Sequence, residues 1–286
     1  MNKKSFYDFF MSVIYLYKIV TNLKKNRRCV LSRNVKREIC VLGSGPSMTE
    51  SIRQIQNGNR GDIHFFAMND FAVSDFYTTC KPRYYILLDP CYWTPKEQTN
   101  DCDFEMRKNT FGKMNSMTNW EMELFIPAEV YKCKYLDNVI TNPQIKLRPF
   151  NYSNYYPTKT SFYYWILKNN YGVVPVGNVL GGAIYLSINM GYKTIKLVGA
   201  EHSWTKDIRV DDDNRVCTIK RHFYGDGTLE PWLKSNKEPF LMCEILQSLC
   251  NHFRGYLYLD WYAKRCNATV YNCTKGSFID AFTRLC

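Results

Sequence analysis

The sequence lacks the cysteine and histidine patterns of a disulfide scaffold or a zinc site. Its 12 cysteines include no C-x-x-C pair, and Cys40 and Cys243 lie in apolar runs where a thiol packs as a small hydrophobe. Only four histidines occur in 286 residues. Because a chain of this length builds a core without disulfides, we expect free thiols, a reducing compartment and no metal centre.

No apolar run is long enough to predict a conventional membrane-spanning helix. Residues 6–20 form a run of 15 that Asp8 and Lys18 interrupt, whereas a span needs about 20. A basic cluster follows, and such a pairing suits the cytoplasmic face of an anionic membrane. We predict that residues 1–37 form a leader. Three alternatives remain for its structure: an amphipathic helix that lies on a membrane, a marginal membrane span, or a helix packed on the domain.

The rest of the chain has little excess charge. Residues 1–37 contain ten Lys or Arg and one acid, a net +9, which leaves +3 of the total +12 for residues 38–286. A nucleic-acid-binding domain should carry its basic residues on the folded body. We therefore predict no nucleic-acid partner.

Short apolar runs alternate with helical patterns through residues 38–286. This alternation predicts an α/β fold with a single doubly wound, mostly parallel Rossmann-like sheet. Residues 177–191 indicate an amphipathic helix that ends at Gly191. The tyrosine-rich segment 148–170 indicates a lid or insertion over a cleft.

The glycine-rich stretch GSGPS follows the first predicted strand. It is neither a Walker loop, since no GK[ST] follows, nor G-x-G-x-x-G. Gly43 and Gly45 allow close backbone approach, Pro46 suits a first helical turn, and Ser44 or Ser47 can cap the helix. Free amides at such a helix start bind phosphate, although tight strand-to-helix turns use the same residues without a ligand.

Polar residues end the next two predicted strands. Asn69 and Asp89 stand where the carboxyl ends of parallel strands place ligand-binding groups, and a fourth strand ends in the polar stretch 201–204. Asn69 and Asp89 suit hydrogen bonds to ribose hydroxyls or a base edge; their alternative role is turn capping. His64 lies inside an apolar strand, which indicates a structural role, and the acidic run 211–213 indicates a solvated turn rather than a metal site.

Six motifs occur in an order that resembles the bacterial lipooligosaccharide sialyltransferases: CVLGSGPSM, FFAMNDF, YYILLDP, GGAIYLSINMGYKTIKLVGAE, HFYGD and VYNCTKGSFIDAF. The resemblance covers residues 39–283 and implies a modified single Rossmann domain, GT-A-like, that uses CMP-sialic acid. It implies nucleotide-binding roles for Gly43, Gly45, Pro46, Ser47 and Asn69. We also predict Ser44, Asp89, Gly181 and Gly182 as nucleotide-binding residues. Asp89 replaces an asparagine of that family. The first and fourth motifs also resemble archaeal-type 6-hydroxymethylpterin diphosphokinases.

The resemblance also implies a catalytic group in the stretch HFYGD. The catalytic histidine of the family aligns with Asp226, and His222 lies four residues before it. Either residue would deprotonate an acceptor hydroxyl in an inverting transfer. The family's tyrosine that contacts the leaving phosphate falls near Ser203, so His202 or Tyr224 would substitute for it.

The resemblance implies that residues 38–286 form a glycosyltransferase domain acting in lipopolysaccharide or capsule biosynthesis. The donor would be a sugar activated by CMP or another nucleotide, and the acceptor a glycan or glycolipid at the cytoplasmic face of the inner membrane. No cofactor is required; homo-oligomers are possible. One alternative is a diphosphokinase-like enzyme that uses ATP and Mg²⁺, and another is a non-catalytic nucleotide- or glycan-binding protein.

Overall fold

The structure, a computed structural model, describes residues 3–25, 31, 38–57, 63–155, 157–219, 229–234 and 238–285. The strands in these residues are β1 (Glu38–Leu42), β2 (Ile63–Met68), β3 (Tyr84–Ile86), β4 (Met122–Pro127), β5 (Ile145–Phe150), β6 (Thr194–Val198), β7 (Arg209–Val210), β8 (Val216–Ile219), β9 (Leu229–Pro231), β10 (Thr269–Asn272) and β11 (Thr283–Arg284). The helices are α1 (Lys3–Lys25), α2 (Met48–Asn57), α3 (Tyr77–Cys80), α4 (Asp101–Met117), α5 (Ala128–Lys132), α6 (Tyr135–Val139), α7 (Ser161–Lys168), α8 (Val179–Asn189) and α9 (Met242–Arg265).

The described strands confirm the predicted sheet. Eight of them pair in the order β11-β10-β6-β1-β2-β3-β4-β5, and every neighbouring pair is parallel. Strands β7, β8 and β9 form a separate antiparallel sheet.

The strand order places a topological switch point between β1 and β6. From β1 the chain builds the sheet outward through β2, β3, β4 and β5, and then returns through α8 to β6 on the other side of β1. Connections that leave neighbouring strands in opposite directions open a crevice at their carboxyl ends. The glycine turn follows β1, and residues 199–204 follow β6, so both lie at this edge.

Alternate residues of the central strand pack into two different cores. Ile39 and Val41 join a core that contains residues of α1, α7, α8 and α9. Cys40 and Leu42 join the opposite core, with residues of α2, α4 and α6. This alternation places a helical layer on each face of the sheet, as expected for a doubly wound fold.

Helix α8 is buried on every side, so the prediction of an amphipathic helix is wrong. All residues from Leu180 to Asn189 are buried, and the helix packs between α9 and strands β1, β2, β3 and β6. Its polar residues bond internally: the Ser187 hydroxyl donates to the Ala183 carbonyl, and the Asn189 amide donates to the Leu167 carbonyl. Gly191, at φ +96°, follows the helix end as predicted.

The segment 148–170, expected as a lid or insertion over a cleft, instead belongs to the body of the domain. It contributes the end of β5 and all of α7, and Tyr155 and Tyr163 are buried in the core of the α8 face. Gly172 permits this packing, because a Cβ there would lie 2.3 Å from the Tyr155 ring.

Helix α1 has a buried and an exposed apolar face. Tyr15 and Ile19 are buried in the core of the α8 face, and the Tyr15 ring packs edge-on against Tyr155, with 5.1 Å between ring centroids. The opposite face exposes large apolar side chains: Phe9, Phe10, Val13, Leu16, Tyr17 and Val20. None of the described helices combines the length and apolarity needed to cross a bilayer.

Candidate functional site

A cavity of about 200 Å³ opens at the switch point between β1 and β6. Its walls come from the glycine turn, the end of β2, the start of α8 and the loop after β6. The lining residues are Gly43, Ser44, Gly45, Pro46, Met68, Asn178, Val179, Leu180, Gly199, Glu201, His202, Ser203, Trp204, Asp207 and Ile219. The cavity thus lies at the edge of the sheet where the sequence predicts ligand binding, and four of the five residues of the GSGPS stretch line it.

The two glycines of the turn allow its backbone to touch the loop after β6. The Gly43 amide donates to the Val198 carbonyl over 2.9 Å, and the Gly45 amide donates to the Gly199 carbonyl over 2.8 Å. A Cβ on Gly43 would lie 2.3 Å from the Gly199 carbonyl oxygen. The two glycines thus allow two loops of the protein to touch. The sequence motif alone does not distinguish this role from contact with a phosphate.

Glu201 fills the start of helix α2. The Ser47 amide donates to the Glu201 Oε1 atom over 2.6 Å. The sequence pattern pointed to residues 201–204 as a strand end but did not single out Glu201. The signal was present, because Glu201 is the first charged residue after the apolar strand, as Asp89 is after β3.

His202 belongs to a hydrogen-bonded chain that fixes its tautomer. The Asn178 Oδ1 atom accepts from the Gly181 amide over 3.0 Å, which orients the Asn178 amide group as the helix cap. The Tyr256 hydroxyl donates to the same oxygen over 3.2 Å, so the His202 Nδ1–H must donate to the Tyr256 oxygen, 3.1 Å away. The His202 Nε2 atom is then unprotonated and accepts hydrogen bonds.

Burial keeps the His202 ring neutral. Burial, together with the smaller effect of the nearby His252, lowers the pKa of His202 from 6.5 to about 3. A neutral ring whose Nε2 atom is an acceptor binds a hydroxyl group better than a phosphate oxygen. The sequence-based suggestion that His202 donates to a leaving phosphate does not fit this tautomer.

Trp204 provides an aromatic surface on the cavity wall. Its ring lies 4.2 Å from the His202 ring and 5.9 Å from the His252 ring, centroid to centroid. Aromatic rings beside polar groups are a common way to hold a sugar or a base. Trp204 lies in the stretch 201–204 that the sequence places at the ligand-binding edge. Tyr256 and Asn178 were not among the sequence-predicted site residues, since nothing in their local patterns separates them from core residues.

Buried polar atoms without a hydrogen-bond partner concentrate around this cavity. Within the described part of the chain, seven buried side-chain polar atoms lack a partner, and five belong to cavity-lining residues or to their direct neighbours and contacts: Ser47 Oγ, Asn69 Oδ1, Asn178 Nδ2, Glu201 Oε2 and His252 Nδ1. Each such atom costs free energy unless a ligand or water satisfies it. The set mixes donors and acceptors, which matches a ligand that carries hydroxyl groups.

Asn69 and Asp89 have different surroundings. Asn69 follows the cavity-lining Met68, adopts φ +46°, and has its Oδ1 atom buried without a partner. Asp89 is exposed, does not line the cavity, and caps a 3₁₀ turn by accepting from the Cys91 amide over 2.9 Å. The capping alternative therefore accounts for Asp89.

Gly181 and Gly182 allow helix α8 to pack closely against neighbouring side chains. A Cβ on Gly181 would lie 2.4 Å from the Val176 Cβ, and one on Gly182 would lie 2.9 Å from the Leu88 Cδ1. Neither glycine lines the cavity. The nucleotide-binding role predicted for the pair does not fit their position.

The other predicted groups do not contribute described atoms to the cavity. His222, Tyr224 and Asp226 lie outside the described residues. The cavity-lining Ile219 is the last described residue before them. In the acidic run, Asp211 and Asp213 pair with Arg215 at 2.8 Å each, next to the β7–β8 hairpin. His64 packs between Tyr84 and Tyr192, which agrees with the structural role expected for it.

The fold and the site define a Rossmann-like α/β protein with a ligand-sized cavity at its switch point. A comparison with models of known protein families gives no match, and neither does a comparison with curated proteins. The resemblance to sialyltransferases therefore rests on the motifs and their order alone.

Proposed function

We propose that this chain is a glycosyltransferase that uses a nucleotide-activated sugar, which binds in the cavity between β1 and β6. The observation that carries the proposal is the concentration of unpartnered buried polar atoms at the switch point of a doubly wound sheet. The aromatic face of Trp204 and the acceptor atom of His202 add the groups that a hydroxyl-bearing ring needs.

The chemistry of the transfer follows from the proposed donor. A base removes the proton of an acceptor hydroxyl, the oxygen attacks the anomeric carbon, and the bond to the phosphate oxygen breaks with its electron pair leaving on the nucleotide. His222 or Asp226 is the proposed base, from the motif resemblance. His202, whose pKa is lowered to about 3, is a poor base at neutral pH, and we assign it to orienting a ligand hydroxyl.

The direct test is turnover of activated sugars by the full-length protein. CMP-, UDP- and GDP-linked sugars would be supplied one at a time, and the released nucleotide would be measured with and without glycan acceptors. We expect one donor class to be consumed, and Trp204→Ala to reduce its turnover at least tenfold. Trp165→Ala is the matched control, because Trp165 is 42% exposed and lies outside the cavity lining. Equal turnover by the two variants, or none of any donor by the parent protein, contradicts the proposal.

A diphosphokinase-like function is the second candidate, and one observation favours it. Glu201 and Asp207 both line the cavity, and paired carboxylates suit Mg²⁺ bound to a nucleotide. This candidate predicts that ATP stabilises the protein only when Mg²⁺ is present. Stabilisation by a nucleotide sugar in the absence of Mg²⁺ favours the glycosyltransferase instead. Nucleotide binding without turnover of any donor would indicate the non-catalytic alternative.

We further propose that α1 holds the enzyme on the cytoplasmic face of the inner membrane. Its exposed apolar face precedes Lys24, Lys25, Arg27 and Arg28, and only one acid occurs in residues 1–37. Sedimentation with anionic vesicles should carry down the parent protein, and Phe10→Ser with Tyr17→Ser should release it. Thr21→Ser, a conservative substitution on the same helix, is the control. Equal sedimentation with neutral and anionic vesicles would contradict this location.

A further inference from the structure

The start of helix α2 already contains an anion, the carboxylate of Glu201. The Ser47 amide, one residue before the 10-residue helix, donates to Glu201 Oε1 over 2.6 Å. Amides at a helix N-terminus carry partial positive charge and attract phosphate or carboxylate groups. The position that the GSGPS stretch offers to a ligand phosphate is thus occupied by a side chain of the protein.

Gly45 is shaped to admit this carboxylate. A Cβ at Gly45 would lie 1.6 Å from Glu201 Oε2 and 2.8 Å from the Gly199 carbonyl oxygen. Any other residue at position 45 would expel the carboxylate or move the backbone. The absence of a side chain at Gly45 therefore makes room for the Glu201 carboxylate. This contact within the protein explains the second glycine of the motif.

The contact leaves Glu201 only half satisfied. Its Oε2 atom is buried and has no hydrogen-bond partner. A second carboxylate, Asp207, lines the same cavity, and the described lining residues include no Lys or Arg. The Glu201 carboxylate thus opposes a free anion at the Ser47 amide, because like charges repel.

We propose that Glu201 is a specificity-determining residue that keeps small free anions out of the site. A phosphate must displace the carboxylate to reach the Ser47 amide. Free pyrophosphate gains little else there, whereas a larger ligand also satisfies the unpartnered atoms of Ser47, Asn69 and Asn178 and so offsets the displacement. The cavity selects a complete nucleotide sugar over free phosphate for this reason.

The test measures binding of inorganic pyrophosphate to the full chain by calorimetry at low salt. Glu201→Gln keeps the shape of the side chain and removes its charge, and we expect the dissociation constant for pyrophosphate to fall at least tenfold. Asp207→Asn is the matched control, since it removes an equal charge from the same cavity wall without touching the Ser47 amide. That variant should change the dissociation constant less than threefold.

Two results would overturn the inference. One is unchanged pyrophosphate binding in a folded Glu201→Gln protein, and the other is an equal gain in Asp207→Asn, which would indicate charge alone. If Glu201→Gln does not fold, Glu201→Asp applies the same test: its shorter side chain withdraws from the amide, and about threefold tighter binding is expected, with no gain counting against the inference. Because no sugar donor is used, failure here leaves the proposed transfer reaction to its own test.

Discussion

The glycine turn after β1 and the glycine pair of α8 look alike in the sequence but meet different surroundings. Gly43 and Gly45 face backbone and a carboxylate across the switch point, at the edge of a cavity. Gly181 and Gly182 face the side chains of Val176 and Leu88 inside the core. The comparison shows that a pair of glycines indicates a position where another group packs directly against the backbone. Only the folded structure shows whether that group is backbone, a side chain or a ligand.

The largest effect is expected for Gly43→Ala. Its Cβ would lie 2.3 Å from the Gly199 oxygen and 2.8 Å from the Gly199 carbonyl carbon, and neither backbone atom can move without separating β1 from β6. We expect a loss of about 3 kcal/mol in the free energy of unfolding, measured by chemical denaturation. Gly112→Ala, at an exposed position of α4, is the control, because nothing lies within 4 Å of its Cβ, and it should gain about 0.5–1 kcal/mol. A Gly43→Ala protein as stable as its parent contradicts the contact between the loops.

Gly181→Ala tests the packing role of the second pair. The new Cβ would meet the Val176 Cβ at 2.4 Å, close to the backbone, so we expect a loss of about 2 kcal/mol on denaturation. Ligand binding by the folded variant should be unchanged. A variant of normal stability that loses nucleotide binding would restore the nucleotide-binding role predicted from the sequence.

His202 makes the free energy of unfolding depend on pH through the region around the glycine turn. The glycine pair of α8 has no titratable group of its own. The pKa of His202 is about 3 when folded and about 6.5 when unfolded, so below pH 6.5 the unfolded chain takes up a proton that the folded chain does not. Stability therefore falls as the pH drops from 6.5 towards 3. Because the ring is partly open to the cavity, we expect about half of the full 1.4 kcal/mol per pH unit.

The measurement compares the parent protein with His202→Asn, which tolerates the left-handed backbone at φ +48°. Between pH 6.5 and 5.0 the parent should lose about 1 kcal/mol more than the variant. Parallel stability curves for the two proteins would show that His202 does not stay neutral in the fold.

The smallest effect is expected for Gly182→Ala. Its Cβ would meet only the tips of two flexible side chains, Leu88 at 2.9 Å and Ile86 at 3.0 Å, which can shift. The gain in helix propensity offsets part of the cost, so denaturation should detect a change below about 1 kcal/mol. A loss as large as that of Gly181→Ala would show that α8 and β3 cannot adjust.

The sequence predicted the sheet well because several of its strands, such as β2 and β3, are short apolar runs closely followed by a polar residue. The same pattern located Asn69 and the residues after β6 at one edge, which the parallel pairing confirms. The sequence predicted an amphipathic α8, and this helix contains the polar residues Ser187 and Asn189. Their internal hydrogen bonds, which no local pattern reveals, allow both to be buried.

The site was predicted less completely, since its groups come from distant parts of the chain. Tyr256 lies on α9 and Asn178 caps α8, and only folding joins them to His202. The contact between Ser47 and Glu201 spans 154 residues. Contacts between residues so far apart in the chain leave no periodic pattern in the sequence. The motif therefore predicted the glycine turn but not the Glu201 carboxylate that binds at the start of α2.

The central claim is that a nucleotide sugar binds at the switch point, and hydrogen exchange measured by mass spectrometry tests it most directly. With a saturating donor, the account predicts slower exchange in peptides that cover residues 43–50 and 199–208, and unchanged exchange in the Asp89 turn at residues 87–94. Protection confined to the Asp89 turn, or to α7 and β5, would contradict the claim, because the ligand would then lie away from the cavity between β1 and β6.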